Sequence, residues 1–187
     1  MKRWAIVSLF DDRSTADTGP WAVVGDAAAF ERAASDGDDV FVAIGDNAAR
    51  ADWIARLLAR GAGLVTLVHP NAVVSSFATL GPGCMVAAGA VINAGARLGS
   101  GCIVNTSSSV DHDCVLGSTV HVSPGAHLGG GVHVGDRAWV GIGAAIRHGI
   151  QIGHDAVVGA GAAVVKDVPG AHVVAGTPAA RLKGVDA

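Results

Sequence analysis

Every sixth residue from Val68 to Val164 is aliphatic, seventeen in succession with none missing. A helix needs apolar positions spaced near 3.6 and a half-buried strand needs alternation, so a period of six suits neither. It suits a parallel β-helix. Each hexapeptide supplies one short strand and one corner, three hexapeptides close a triangular coil, and residues 18 apart stack. Four residues after each aliphatic stands another small or aliphatic side chain, among them Ala72, Ala90, Cys102, Val120, Ala138, Ile150 and Val168. The residue directly after the aliphatic is often glycine, as at Gly81, Gly99, Gly117, Gly135 and Gly153, and glycine is expected to take the tight or φ > 0 turn of the corner.

Composition agrees with this reading and closes off others. Of 187 residues, half are hydrophobic, 16% are charged and 27 are glycine. Such a chain has ample apolar surface to bury and is not intrinsically disordered. Glycine keeps no three-residue period, which excludes a collagen triple helix. No uninterrupted apolar run of about 18 residues marks a membrane span. The apolar run Trp4 to Phe10 follows Lys2 and Arg3 but ends at Asp11 and Asp12 without a small-residue cleavage site, so it reads as a buried strand rather than a signal peptide. A net charge of -3 offers no basic face to nucleic acid and no polybasic membrane anchor. Three cysteines without a secretion signal point to free thiols in a reducing cytoplasm. Cys84, Cys102 and Cys114 all fall on the small inward position, which makes them core fillers rather than nucleophiles or ligands.

The chain divides on this basis into residues 1–67, a small α/β unit; 68–168, the repeat; and 169–187, a tail. Strands are expected at Trp4 to Phe10, Trp21 to Val24, Asp39 to Gly45 and Leu64 to Val68, and helices at Ala27 to Ser35 and Asn47 to Arg60. The second helix opens behind Asp46 and closes at Gly61. The apolar runs are of the kind buried on both faces of a parallel sheet. The predicted fold is therefore a β-solenoid preceded by a small, incomplete Rossmann-like α/β domain.

Stacked coils serve as ice-binding surfaces, scaffolds and enzymes, so function must come from particular side chains. Threonine is too sparse for an ice-binding column. His121, His127 and His133 are spaced by six, which puts them on three different faces, and no pair has the spacing of convergent zinc ligands. No metal is expected.

The stretch Asn105 to Gly117, reading NTSSSVDHDCVLG, followed by His121-Val122-Ser123-Pro124-Gly125-Ala126, resembles the central signature of bacterial hexapeptide-repeat sugar acetyltransferases. The group it is most similar to N-acetylates UDP-linked 4-amino sugars, with sialic acid O-acetyltransferases nearby. The tail Ala175 to Leu182 resembles the family's closing segment, and the likeness spans about residues 39 to 182. The resemblance implies a left-handed β-helix, a homotrimer with C3 symmetry, and acetyl-CoA in a groove between subunits. It implies His112 as general base with Asp113 as acidic partner, or Asp111 if geometry differs. For the cofactor it implies Asn105 and His121 at the acetyl end, the Gly130 backbone as oxyanion donor, Ile142 and Gly143 along the pantetheine, and Gly161 and Lys166 toward the adenine and phosphates. Asp11, Asp12, Gly45 and Asn47 match acceptor contacts.

The family's opening strand and its Gly-rich phosphate loop have no counterpart, since Gly19 is the first glycine. Either the natural start lies upstream, or a reduced domain binds a different or smaller acceptor. The expected partners are acetyl-CoA and an amino-sugar acceptor. Sugar O-acetylation, or a non-catalytic scaffold with a degenerate acceptor site, stands as the alternative.

Overall fold

The computed structural model describes residues 6–12, 21–33 and 38–186. They form two compact units, one up to Asp38 and one from Asp39 onward.

In the first unit Leu9–Phe10 pairs in parallel with Val23–Gly25, and helix α1 (Ala27–Ala33) follows. Asp26 caps the helix through the Ala29 N–H at 2.7 Å, and Asp12 Oδ1 accepts from the Ala27 N–H at 2.7 Å. Phe10 meets Phe30 edge to face at 5.3 Å. The strand expected from Trp4 is only Leu9–Phe10 over the described residues, and Ile6 is 83% exposed rather than buried. A two-stranded pair has too few neighbours to cover both faces of an apolar run. Trp4, Ala5, Gly19 and Ser35 lie outside the described residues.

The second unit opens with the parallel pair Asp39–Val40 and Gly63–Leu64, joined through helix α2 (Asn47–Ala59). Asp46 caps α2 by accepting from the Ala49 N–H at 2.8 Å, and Gly61 follows in the left-handed region. The single strand expected over Leu64 to Val68 is two, because Leu67–Val68 is already the first strand of the coil.

From Leu67 the chain winds as two-residue strands, and each strand pairs in register with the strand 18 residues on: Met85 with Ile103, Val91 with Ser109, Arg97 with Val115. Three parallel faces result. The first runs upward through Leu67, Met85, Ile103, His121, Trp139 and Val157; the second through Val73, Val91, Ser109, His127, Ala145 and Ala163; the third through Thr79, Arg97, Val115, His133 and Gln151. His172–Ala175 adds to the first face, and Ala180–Asp186 returns antiparallel along it.

Both inward positions of each hexapeptide are buried from the second coil upward, Val86, Cys102, Val120, Val140 and Ala156 among them at 0 to 1% exposure. All three cysteines are free and at 0%, each thiol donating to a backbone carbonyl of a glycine one coil on. Burial raises the Cys114 thiol, the form expected of a core filler.

The two roles expected of glycine fall on different corner positions. The residue directly after the aliphatic does not take φ > 0. That conformation falls three after it, at Gly83, Gly89 and Gly95 but also at Ser107, Asp113, Thr119, Arg137 and Asp155. Glycine at the earlier position answers a different demand: a Cβ at Gly81 would lie 2.7 Å from the Gly99 backbone of the next coil.

Candidate active site

The three corners of the prism carry different chemistry. On the corner between the second and third faces sit Asp111, His112 and Asp113. Asp113 is in the left-handed region at φ 57°, which costs a non-glycine residue of order 1 kcal/mol and turns its carboxylate back along the corner. Its Oδ2 lies 2.9 Å from His112 Nδ1. Asp111 is used otherwise, accepting from the His112 backbone N–H and from Asn93 Nδ2, both at 2.8 Å. Those two bonds hold the Asp111 carboxyl below its ordinary range. The bond to Asp113, with the Asp111 charge behind it, raises the His112 imidazole above its ordinary value.

With Nδ1 engaged, Nε2 is the free nitrogen, and it points at Gly130 on the coil above. A Cβ on Gly130 would collide with Nε2. Gly131 N–H donates to His112 O at 2.8 Å, fixing the two turns against each other. Gly95, on the coil below, is held open in the same way: the space its Cβ would need is taken by Asp113 Oδ1.

The corner between the first and second faces carries a groove of about 450 Å³, lined by His121, Ser123, Pro124, Trp139, Ile142, Val157 and Ala160 among others. His121 points outward by its period, yet it is only 8% exposed. Trp139, one coil above, covers it with ring centroids 4.5 Å apart, and donates its indole N–H to Ser123 Oγ at 2.9 Å. Asn105, one coil below, has its Nδ2 3.2 Å from His121 Nε2. Asn105 Oδ1 accepts from the Thr106 N–H at 2.8 Å, which fixes the amide so that its NH2 faces the imidazole. Burial, with the Arg50 charge added, lowers the His121 pKa to about 4. It is a neutral imidazole at neutral pH, and its Nδ1 is buried with no partner among the described residues. Ile142 is 61% exposed in the groove, while Gly143 and Gly161 hold successive left-handed turns beside it with open space in front of them. Lys166 is exposed.

The third corner receives α2. Arg50, 1% exposed, donates Nε to Gly101 O at 2.9 Å and Nη2 to Thr119 O at 2.8 Å, and its Nη1 holds Ile44 O and Gly45 O. Burial lowers its pKa, and the carbonyl ring replaces the lost water. Asn47 is buried beside it, with Oδ1 accepting from Arg50 at 2.6 Å and Nδ2 donating to Arg137 O at 2.8 Å. Both of its polar atoms are thus engaged inside the unit. Sequence reasoning missed Arg50, which reads as a solvated charge, although Asn47, Arg50, Ile54 and Leu57 form one helical stripe. Asp11 and Asp12 belong to the other unit, where Asp12 holds the start of α1.

The structure therefore brings together His112, Asp113 and Gly130 on one corner, and Asn105, His121, Ile142, Gly143 and Gly161 on another. A larger groove of about 540 Å³ on the third face, bounded by His133, Gln151 and Asp167, contains none of these residues. Among the described residues no group of three or more His, Cys, Asp or Glu could hold a metal, and no helix is long and apolar enough to cross a membrane.

Known proteins decide the family. The acetyltransferase domain of PglB from Neisseria gonorrhoeae is 39% identical, with a TM-score of 0.93 over 96% of this chain and 88% of that one. The chain belongs to the left-handed β-helix family of sugar N-acetyltransferases. A perosamine N-acetyltransferase variant from Caulobacter crescentus, solved in complex with CoA and GDP-perosamine, is 41% identical, with a TM-score of 0.88 over 94% of this chain and 84% of that one. WeeI from Acinetobacter baumannii is 29% identical, with a TM-score of 0.86 over 94% and 85%. The PglD N-terminal domain family matches residues 1–57, and the hexapeptide repeat of succinyl-transferase matches residues 131–166. The comparison with curated proteins found no match. As a member of this family the protein is an acyltransferase with a left-handed coil.

Proposed function

We propose that the protein transfers the acetyl group of acetyl-CoA directly to the amine of a nucleotide-linked amino sugar, with His112 as general base. The observation that carries this reading is the His112 ring, locked on Asp113 through Nδ1 and open through Nε2 toward Gly130. The PglB domain has been solved in complex with acetyl coenzyme A, and the perosamine enzyme with CoA and GDP-perosamine. A thioester is already activated, so the chain must supply a base and donors for the developing oxyanion. The acceptor nitrogen attacks the carbonyl carbon and gives its proton to His112 Nε2. The carbon–sulfur bond breaks, and the thiolate leaves. Asp113 fixes the tautomer and stabilises the imidazolium. The backbone N–H of Gly130, the residue against His112 Nε2, is the proposed donor to the oxyanion.

The base and the groove lie on different corners of one chain, so the site is incomplete in a monomer. Those two corners flank the second face, whose outward residues Val73, Val91, Ser109, His127, Ala145 and Ala163 include no acid, lysine or arginine. A cyclic trimer with that face toward its axis joins the His112 corner of one chain to the His121 groove of the next. In this arrangement Asn105, His121, Ile142, Gly143 and Gly161 follow the cofactor from its acetyl end, and Lys166 serves its phosphates. Gly45 at the start of α2 and Asp11 and Asp12 of the small unit are proposed acceptor contacts; Asn47 braces Arg50, which holds the Gly45 carbonyl. The protein works in the cytoplasm, where acetyl-CoA and nucleotide sugars are available.

The test is release of CoA thiol from acetyl-CoA with a panel of UDP-, GDP- and TDP-linked amino sugars. Turnover with one of them that is lost in His112→Ala, at unchanged assembly mass, is the expected result. No turnover with any acceptor contradicts the reading.

A further inference from the structure

The free nitrogen of the base faces the coil above, and the corner it faces is bare. The turn there is Gly129, Gly130 and Gly131, three residues without a side chain. A Cβ on Gly130 would meet His112 Nε2, whereas one on Gly131 would meet nothing within 4 Å. Gly131 N–H donates to His112 O at 2.8 Å, and Gly149 N–H donates to Gly130 O at 3.0 Å, so the corner climbs one coil at each turn. Each step is about 5 Å.

Cations stand over the bare turn. Two steps above the dyad the corner reads Arg147, His148 and Gly149. Arg147 N–H donates to Val164 O at 2.9 Å, which brings Val165, Lys166 and Asp167 across the same corner one step higher. Arg147, His148 and Lys166 are all exposed. Among the described residues no hydrogen bond or ion pair engages their side chains. The carboxylates of this corner are turned to other partners: Asp111 to Asn93, Asp113 to His112, and Asp167 to the Gln151 N–H, from which its Oδ1 accepts at 2.9 Å. A chain of net charge -3 thus carries a cationic strip about 10 to 15 Å above its reacting nitrogen.

We propose that Arg147 and Lys166, with His148 beside them, bind phosphate groups of the ligand whose other end reacts at His112 Nε2. This rests on the acetyl-transfer reading above and deepens it, by adding an anchor on the base's own corner for a ligand that lies across the glycine turn. Both ligands of that reaction carry a diphosphate, CoA beyond its pantetheine arm and the nucleotide-linked sugar beyond its ring. The shared chemistry is a nucleotide diphosphate. The Arg147 fork pairs with two phosphate oxygens, and Lys166 adds a point charge. Removing both is worth at least tenfold in affinity.

The test is calorimetric binding of CoA, UDP, GDP and TDP to the assembled wild type, to Arg147→Gln/Lys166→Gln, and to the charge-keeping Arg147→Lys/Lys166→Arg. The expected result is a Kd at least tenfold weaker in the glutamine variant for CoA or for one nucleoside diphosphate, with melting temperature and assembly mass unchanged and most of the affinity kept in the charge-keeping variant. Loss for CoA assigns the strip to the cofactor, and loss for one nucleoside diphosphate assigns it to the acceptor. Unchanged binding of every probe overturns the proposal. So does an equal loss for all four, which marks a general charge effect, or an equal loss in the charge-keeping variant, which marks a structural one. A wild type that turns over no acceptor yet shows the CoA loss overturns the amino-sugar reading and leaves this proposal standing; an active wild type whose probes bind the glutamine variant equally well overturns this proposal alone.

Discussion

Two corners of the coil carry the same pair of residues. His112 Nδ1 meets Asp113 Oδ2 at 2.9 Å, and His154 Nδ1 meets Asp155 Oδ2 at 2.9 Å. Both aspartates are left-handed, at φ 57° and 55°. A glycine one turn on lies over each imidazole, Gly130 over His112 and Gly170 over His154. The coil thus makes a His–Asp pair wherever the two residues fall on the right turn positions, and the pair alone does not define a site. What differs is the surroundings. Arg137 clamps both oxygens of Asp155, at 2.7 and 2.6 Å, and holds that carboxyl down to about 2. Among the described residues Asp113 has no such clamp; its bond raises the His112 imidazole. The His112 corner borders the second face, across which the proposed trimer would bring a neighbouring groove, whereas the His154 corner is the one α2 occupies lower down.

Matched substitutions separate the two corners. The largest difference is expected for the imidazoles. His112→Ala should lower kcat by about a thousandfold, the usual worth of a general base, while His154→Ala stays within about twofold. Equal losses would erase the distinction. The glycines come next. Gly130→Ala puts a methyl on His112 Nε2 and should cost about a hundredfold in kcat at unchanged melting temperature, whereas Gly170→Ala should leave turnover alone.

The aspartates give a smaller effect with a defined sign. The Asp113 bond favours the imidazolium, so the rate should rise with pH through a value above that of ordinary imidazole. Asp113→Asn should move that rise to lower pH and lower the plateau by roughly tenfold, as the tautomer is released. Asp155→Asn should leave the pH–rate profile in place and cost only about 0.5 kcal/mol of stability, because the Arg137 pair is partly exposed. A profile that moves with Asp155 and not with Asp113 would reverse the assignment.

The repeat was legible because burial demands an aliphatic at every inward position and nothing else produces seventeen in a row. The use of glycine was less legible: the same residue answers φ > 0 at Gly95 and close stacking at Gly81, and only the backbone tells them apart. The burial of His121 was hidden because period alone points it outward, although Trp139 follows it by one full coil. Its burial has a testable cost. His121 titrates near 4 in the folded chain and near the ordinary 6.5 unfolded, so the unfolded state binds more protons between those values. Stability is full above about pH 6.5 and falls on acidification toward pH 4, by up to about 3 kcal/mol. His121→Gln should flatten that part of the stability–pH curve measured by denaturant unfolding; an unchanged slope would assign the loss to other groups.

The central claim is that base and cofactor groove come from different chains. Co-refolding His112→Ala with Ile142→Glu tests it, since each homotrimer lacks one half of every site. Random mixing should restore about a quarter of the wild-type sites, each pairing an intact His112 with an intact neighbouring groove. A mixed assembly no more active than the two separate variants would place the whole site within one chain and contradict the account.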